Sequence, residues 1–328
     1  MNVCVLSDEI YADFDPGPYL KGHRWKLFNV KKPALSFIRE LTSRYKFDVF
    51  LNMCDGGPDE DRPGIDVVQA LEALDLPFTG ADSQFYDPTR DQMRDAALRR
   101  GVNFARGVHI AAMTGLFQKV ESLRYPLIVK HPQSYASVGL TPLSRVTTPE
   151  QLVVQVQRML SEFGAARVEE FIEGREFAVL VSDNPDDLGS PLVYTPVEFV
   201  FPPGESFKHA ELKWHDFAQM ECVPVTDTAL TFNLQHACRE LYLGLGGVGY
   251  GRCDVRMDAD GRLYILEINP NCALFYPPET PGSADYILMN TPGGHKAFVD
   301  RIFRAARLRQ KARQQARAGA LIPTPAGW

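Results

Sequence analysis

Apolar and polar residues follow a strand–helix–strand–helix order along the first part of the chain. The runs VCVL (3–6) and FDVFLN (47–52) are short and largely apolar, which is typical of buried parallel strands. Residues 33–45 and 65–74 repeat apolar positions at helical spacing. LPFTG (76–80) predicts a further strand that ends in a turn. We therefore expect an open α/β layer over about the first 85 residues.

The rest of the chain mixes helices and strands without an internal repeat. Its predicted elements are a helix framed by Asp87-Pro88 and Gly101, a strand at 125–131, a loop at 135–140, a helix from Thr148-Pro149 to Phe163, two strands hinged at Gly174, a strand before an irregular loop at 201–216, a helix from about Thr228 to Leu245, a hairpin at 251–271 and a last helix from Thr291. Asp87 is the expected N-cap of the first helix. The arginine-rich end RAARLRQKARQQARAGA predicts a solvated helix that frays, with a nucleic-acid contact as the alternative.

Composition narrows the class of protein. The 328 residues suit two or three domains that share a cleft, and 45% of them are hydrophobic. A net charge of −6 gives no global attraction to nucleic acid or anionic membrane, and no apolar run is long enough to span a bilayer. The N-terminus lacks the basic region of a signal peptide, and the six cysteines include no Cys-x-x-Cys pair. We therefore expect a cytoplasmic enzyme or ligand-binding protein with reduced thiols.

The candidate chemistry lies in the hairpin GRCDVRMDADGRLYILEINPN (251–271). A four-residue turn at its DADG sequence would pair Arg252 with Glu267 and Asp254 with Ile265. Residues that pair across two strands share a face with residues two positions away, so this register collects polar side chains on one surface. A one-residue slip would separate them.

Four polar residues are predicted to share that surface: Arg252, Asp254, Glu267 and Asn269. The residues expected to face the core are Cys253, Val255, Leu266 and Ile268. Two carboxylates and an amide oxygen on a rigid surface suit Mg²⁺, and the arginine beside them suits a phosphate or a developing oxyanion. The alternative is a solvent-facing hairpin with a weak cross-strand ion pair.

The hairpin with LEINPN (266–271) resembles the metal-binding motif of ATP-grasp enzymes, in particular the D-alanine–D-alanine ligase branch. Three more stretches are similar to motifs of that family and follow in the family's order: YPLIVKHPQSYASVGL (125–140), VEEFIEGREFAV (168–179) and FKHAELKW (207–214). DVFLNMCDGG and LPFTG also resemble the N-terminal domain of the ligases. The resemblance therefore covers most of the chain.

This resemblance implies an ATP-grasp fold of three domains, in the α/β and α+β classes. The expected domains are an N-terminal α/β domain at 1–86, a central lid at 87–174, and a C-terminal domain at 175–328 that carries the metal site and the terminal helix. Nucleotide would lie between the central and C-terminal domains.

The resemblance also implies roles for individual residues. ATP would contact Arg90, Lys130, Glu169, Glu170, Phe171, Ile172, Glu176 and Lys213. Two Mg²⁺ ions, with Mn²⁺ as a substitute, would be held by Asp254, Glu267 and Asn269. Catalysis would depend on Arg252, Lys213 and Ser137. Taken singly, most of these residues have an ordinary structural explanation, and it is their joint order that favours the family.

The activity implied is an ATP-dependent carboxylate–amine ligase that forms an amide bond through an acyl phosphate. Its partners would be small-molecule carboxylate and amine substrates, with neither nucleic acid nor membrane, and related ligases are commonly homodimers. Two alternatives stay open. One is a nucleotide-binding scaffold or regulatory protein without ligase activity, and the other is an enzyme that closes a ring within one molecule.

Several positions depart from the family pattern. Arg90 stands where the family has a lysine, and Tyr135 and Ala136 occupy a phosphate loop that is usually rich in glycine and serine. The glycine and serine that follow Asn269 in the ligases are absent, as is the N-terminal signature that orients the first D-alanine. We therefore expect an amino-acid-containing specialised metabolite as the product instead of D-alanyl-D-alanine.

Overall fold

The strands and helices come from a computed structural model that describes residues 1–9, 13–57, 60–132, 137–214 and 220–320, without the side chains of 213–214 and 318–320. The strands are β1 Asn2–Ser7, β2 Arg24–Asn29, β3 Val49–Asn52, β4 Gly107–Ile110, β5 Leu127–Lys130, β6 Arg145–Val146, β7 Ala166–Glu170, β8 Arg175–Ser182, β9 Leu192–Val193, β10 Val197–Val200, β11 Glu221–Pro224, β12 Tyr250–Met257 and β13 Leu263–Pro270. The α-helices are α1 Ala34–Arg44, α2 Ile65–Ala73, α3 Arg90–Arg99, α4 Leu116–Val120, α5 Pro149–Phe163, α6 Ala210–Trp214, α7 Thr228–Gly244, α8 Ser283–Met289 and α9 Gly294–Ala320. Tyr135, Ala136 and the Lys213 side chain lie outside this description.

The N-terminal sheet is parallel, in the order β2-β1-β3. Strands β1 and β3 and helices α1 and α2 confirm the predicted α/β layer. LPFTG was expected to form a strand, and this is wrong, because the segment makes a single bridge between Phe50 and Phe78. Strand β2 was not predicted. It is an edge strand with mostly exposed residues, so its sequence RWKLFN carries no apolar run.

The central sheet is antiparallel, in the order β4-β7-β5-β6, and α5 packs on it over an apolar core. The N-cap of the long amphipathic helix α5 is Thr148, as expected, and its side chain accepts a hydrogen bond from the Gln151 N–H. The N-cap of α3 is Thr89 and not Asp87. Thr89 and Gln92 form a reciprocal capping box, which starts the helix at Arg90.

The third sheet has the order β11-β10-β8-β12-β13, with β9 on β8. One face packs on α3 and α7, and the other packs on α8, α9 and the N-terminal sheet. Gly174 separates β7 from β8 and so joins the central sheet to the third sheet. Its φ is +132°, and a Cβ there would lie 2.1 Å from the Met257 carbonyl oxygen, so only glycine fits this hinge. The domain boundaries at 86 and 174 stay predictions.

Most side chains of helix α9 from Lys311 to Arg317 are exposed, as expected for a solvated helix end, but two arginines of the helix bond to the segment 76–80. Arg309 donates to the carbonyls of Phe78 and Gly80, and Arg313 donates to that of Leu76. Both guanidinium groups lie over the Phe78 ring, at 6.0 and 5.5 Å from its centroid. These arginines therefore fasten the terminal helix to the N-terminal domain. Among the described residues, no helix is both long and apolar enough to cross a bilayer.

Candidate active site

The hairpin strands β12 and β13 pair in a different register from the one expected. The observed pairs are Met257–Leu263, Val255–Ile265, Asp254–Glu267 and Arg252–Asn269. The turn holds residues 258–262, one more than predicted, and Leu266 forms a β-bulge opposite the Asp254–Val255 step. Each feature shifts the register by one residue, so together they bring the same four polar side chains back to one face. Leu266 itself is half-buried at a cleft and does not face the core as expected.

The four hairpin residues form one hydrogen-bonded cluster. Arg252 donates from Nε and Nη2 to both carboxylate oxygens of Asp254, at 2.9 Å each. The Asn269 amide donates to Glu267 Oε1 at 2.9 Å and to Asp254 Oδ2 at 3.4 Å. Burial lowers the pKa of Arg252, but Asp254 outweighs it and the pKa is raised. Arg252 is therefore a fixed positive charge beside two carboxylates.

Arg90 contacts the β-bulge at Leu266, and its side chain does not point into the cleft beside the hairpin. Its Nη1 donates to the Leu266 carbonyl at 2.5 Å, and its Nη2 is paired with Glu267 Oε2. The side chain is buried, 6% exposed. Of the described side chains predicted for the site, Arg90 is the one that does not line the cleft.

Lys130 and Glu169 are the centre of a buried ion-pair chain on the central sheet. Lys130 Nζ lies 2.6 Å from Glu169 Oε2, and Arg167 donates to Glu169 Oε1 at 3.0 Å. Arg167 also reaches Asp91, the second residue of α3, at 3.2 Å. Burial lowers the pKa of Lys130, and Arg90 adds to that effect. For Glu169, burial raises the pKa, but Lys130, Arg90 and Arg167 outweigh it and the pKa is lowered.

The hinge residues lie at the other end of the cleft. Glu170 accepts from the Arg124 backbone N–H at 3.1 Å, whereas Phe171 and Ile172 are buried apolar walls. Glu176 is paired with Lys208 and Arg256, at 2.9 Å each. The prediction missed these two cations. Lys208 lies in the same segment as Lys213, which the family resemblance assigns to ATP. Arg256 continues the alternation of Arg252 and Asp254 along β12.

One cleft contains these groups. Of the predicted residues, it is lined by Lys130, Ser137, Glu169, Glu170, Phe171, Ile172, Glu176, Arg252, Asp254, Glu267 and Asn269. Its unpredicted lining residues are Ile128, Leu140, Phe207, Lys208, Arg256, Leu266 and Ser283. The cleft is open at its mouth, and its lining combines charged side chains with apolar ones, as in many ligand sites. Two loops meet at its edge, where Ser137 Oγ donates to the Lys208 carbonyl at 3.1 Å.

Residues 103–274, slightly more than half of the chain, match the family model described as D-ala D-ala ligase C-terminus. The matched range contains the central sheet, the third sheet and all four hairpin residues. The chain belongs to this family.

Relatives and solved structures agree with this placement. The chain is 28% identical over 202 residues to a D-alanine–D-alanine ligase of Bordetella petrii, a match that covers 61% of this chain and 60% of the relative. It is 29% identical over 235 residues to a D-alanine–D-alanine ligase of Mannheimia succiniciproducens, covering 68% and 70%. The chain thus spans less than two thirds of the Bordetella relative's length.

Two solved structures match nearly the whole chain. The D-alanine–D-alanine ligase of Coxiella burnetii matches with a TM-score of 0.68 and 14% identity, over 97% of both chains. That of Bacillus anthracis complexed with ATP matches with a TM-score of 0.67 and 16% identity, over 95% of this chain and 99% of the other. The expected ATP-grasp fold is confirmed.

The donor atoms of this family member fit Mg²⁺ that arrives with a nucleotide. In the described part of the chain, no group of three His, Cys, Asp or Glu side chains could hold a metal by itself. The hairpin offers two carboxylates and an amide oxygen, and Mg²⁺ commonly binds one or two protein carboxylates with phosphate and water completing its shell. Arg90 and Arg252 already pair with these carboxylates, so little net charge is left to offset a triphosphate without divalent ions.

Glu267 gives this family member a pH-dependent contribution to stability. Burial raises its pKa, but Arg90 and Lys130 outweigh it and lower the pKa well below the ordinary 4.5. Below pH 4.5 the unfolded chain takes up a proton at this carboxylate, whereas the folded state keeps it charged. The charged carboxylate therefore contributes its full stabilisation above pH 4.5, and this contribution is progressively lost as the pH falls below that value.

We expect the difference in unfolding free energy between wild type and Glu267→Gln to stay constant from pH 7 to about 5 and to shrink below 4.5. Denaturant unfolding at a series of pH values measures it. A difference that stays flat to pH 3 would contradict the lowered pKa.

Proposed function

We propose that the protein is an ATP-dependent ligase that joins a carboxylate to an amine. The observation that supports this most is that Arg252, Asp254, Glu267 and Asn269 line the same cleft as Lys130 and the hinge 169–172. A cleft used for nucleotide binding alone has no need of a second cluster of charges beyond the phosphate lysine. The names of the relatives, D-alanine–D-alanine ligases, agree with amide-bond formation.

The proposed reaction has two steps. A substrate carboxylate oxygen attacks the γ-phosphorus of ATP, and the bond from that phosphorus to the β–γ bridging oxygen breaks, giving an acyl phosphate and ADP. The amine nitrogen then attacks the acyl carbon, phosphate leaves with the electrons of the acyl C–O bond, and the nitrogen gives up a proton to phosphate or water, giving the amide. Because water would hydrolyse the acyl phosphate, the cleft has to exclude it during both steps.

The residues of the cleft have separate tasks in this scheme. Lys130 binds the phosphates near the central sheet, with Glu169 fixing its position. Arg252 stabilises the charge that develops on the transferring phosphoryl group and on the acyl oxygen, where preorganised charge is most effective. Asp254, Glu267 and Asn269 would hold Mg²⁺, which when bound offsets phosphate charge. Phe171 and Ile172 provide the apolar walls for the adenine.

The segment after the hairpin supports a product other than D-alanyl-D-alanine. Asp285 accepts from the backbone N–H groups of Phe275, Tyr276 and Gly282, and His295 Nε2 lies 2.8 Å from it. The Tyr276 ring packs on Phe14 with centroids 4.2 Å apart. A buried carboxylate thus holds an aromatic loop where the ligases carry glycine and serine. This difference from the family pattern supports an amine substrate other than D-alanine.

Release of ADP and phosphate, measured with a panel of amino acids, dipeptides and small carboxylic acids, tests this function. We expect stimulation by at least one carboxylate–amine pair, with a product mass equal to the sum of both substrates less water. D-alanine alone should give little D-alanyl-D-alanine. Nucleotide binding without stimulation by any pair would instead favour the scaffold, and a product that contains one substrate less water would favour ring closure.

A further inference from the structure

We infer that Arg90 is a positioning residue that fixes the β-bulge and the Glu267 carboxylate, and that it does not bind the nucleotide phosphates. This inference rests on the proposed nucleotide and metal site. It runs against the role that the family resemblance implies for this position, where a lysine would contact phosphate.

Two nitrogens of the Arg90 guanidinium are bonded to hairpin residues, and the side chain does not line the cleft. Nη1 is used by the carbonyl of Leu266, the bulge residue, and Nη2 by Glu267 Oε2. The bulge takes Leu266 out of the regular pairing between β12 and β13, so its carbonyl needs a donor from elsewhere. Arg90 is that donor, and it is 6% exposed behind the residues that line the cleft.

The bulge matters because it sets which residues face the cleft. Without the extra residue at Leu266, Asp254 would lie opposite Leu266, and Glu267 would turn to the other face. The same guanidinium holds the bulge and one oxygen of Glu267. Glu267 Oε1 is held by Asn269 at 2.9 Å, so both carboxylate oxygens have fixed partners. Arg90 therefore determines the orientation of Glu267, a proposed metal ligand, without lining the cleft itself.

Helix α3 also links this cluster to the central sheet. The next residue, Asp91, pairs with Arg167 on β7 at 3.2 Å. Nearby, the backbone of Asn103 and Ala105 bonds to Ile265 on β13, at 2.9 and 3.2 Å. The start of α3 thus contacts both sheets that enclose the cleft. Asp91 contacts the central sheet, and Arg90 contacts the hairpin of the third sheet that carries the proposed metal ligands.

This geometry explains why position 90 carries an arginine, although a lysine would be sufficient to bind a phosphate. A guanidinium presents several donors in one plane and can bond a carbonyl and a carboxylate together, whereas a single ammonium at the end of a flexible chain is a point charge. If Arg90 bound phosphate, lysine would be a mild replacement. If it clamps the bulge, lysine would lose one of the two contacts.

The test is to compare Arg90→Lys and Arg90→Gln with wild type in nucleotide binding without divalent ions, and in Mn²⁺ binding to the complex with a non-hydrolysable ATP analogue. Mn²⁺ binding is read by electron paramagnetic resonance and nucleotide affinity by calorimetry in EDTA. We expect nucleotide affinity in EDTA to change less than about 3-fold, and Mn²⁺ affinity to fall by about 10- to 100-fold in both variants, as for other residues that orient a metal ligand.

Three comparisons make the result specific. Arg99→Lys, at an exposed position near the end of the same helix, should leave both affinities unchanged. In a Glu267→Gln background, Arg90→Lys should add little to the loss of Mn²⁺ affinity, because both changes act through one carboxylate. In a crystal of wild type with the ATP analogue and Mn²⁺, Arg90 should still contact Leu266 and Glu267, with no phosphate oxygen in hydrogen-bond reach.

Two outcomes would overturn the inference. One is weaker nucleotide binding in EDTA for Arg90→Gln with wild-type affinity for Arg90→Lys, which is the behaviour of a phosphate ligand. The other is a wild-type complex in which Arg90 reaches the nucleotide. Since these measurements need no second substrate, a failure to find any ligase activity would count against the proposed function and leave this inference standing.

Discussion

Asp254→Asn and Glu267→Gln are each expected to reduce ADP formation by about 10³-fold or more, with the fold retained. Each change keeps the shape of the side chain and removes one of the two carboxylates of the hairpin cluster. A neutral amide is a weaker ligand for a divalent ion, so phosphate charge would go uncompensated during transfer. The measurement is ADP release at saturating Mg²⁺ and ATP with a stimulating substrate pair, with circular dichroism and thermal unfolding as checks on folding.

The matched control is Asp260→Asn in the turn of the same hairpin. Asp260 is exposed and pairs with Arg262, so this variant makes the same charge change on the same element outside the cleft. Its turnover should be that of wild type. Turnover of Asp254→Asn or Glu267→Gln close to that of the control would exclude these carboxylates as metal ligands.

Local pattern predicted the fully buried strands and the capped amphipathic helices best. The apolar runs of β1 and β3 and the capped helix α5 have the structure that their sequences indicate. The edge strand β2 was missed because it is mostly exposed and contains no apolar run. The strand predicted at LPFTG is replaced by one bridge, although the run is apolar. Burial, which the pattern reports, does not by itself determine backbone pairing.

The hairpin shows a second limit of sequence reasoning. Which residues share a face was predicted, but the pairs were not, because turn length and a bulge at Leu266 each changed the register by one. The composition of the turn does not distinguish a four-residue from a five-residue loop. The predicted face is correct because the two shifts add up to two residues, which is one full period of strand alternation, so the cluster depends on the bulge as much as on its own residues.

Partners distant in sequence were not predictable at all. Arg90 meets Glu267, and Lys208 meets Glu176, across long separations that no local pattern encodes. The same holds for Arg309 and Asp183, whose ion pair contributes to holding the terminal helix against the rest of the chain. The family resemblance named many of the side chains that line the cleft but not Lys208 or Arg256, and the structure adds which of them pair with each other.

The ion pairs around Glu169 give the largest expected effect on stability. Glu169→Gln should lower the unfolding free energy by about 3–5 kcal/mol, because it leaves two buried cations without their shared carboxylate. Lys130 and Arg167 both contact Glu169, and the three side chains are at most 8% exposed. Such a loss also lowers the midpoint of thermal unfolding. Scanning calorimetry of the chain measures it.

A second change separates lost charge pairing from lost packing. Adding Lys130→Met to Glu169→Gln removes one of the unpaired cations and replaces it with an apolar chain of similar length, so the double variant should recover part of the stability. Glu173→Gln, which breaks an exposed pair with Arg145 in the same hinge, should cost no more than about 1 kcal/mol. Additive losses from Glu169→Gln and Lys130→Met would mean that each side chain stabilises the fold independently of the other. The contact between Lys130 and Glu169 would then be incidental, and the lysine would be held in place for the phosphates by something else.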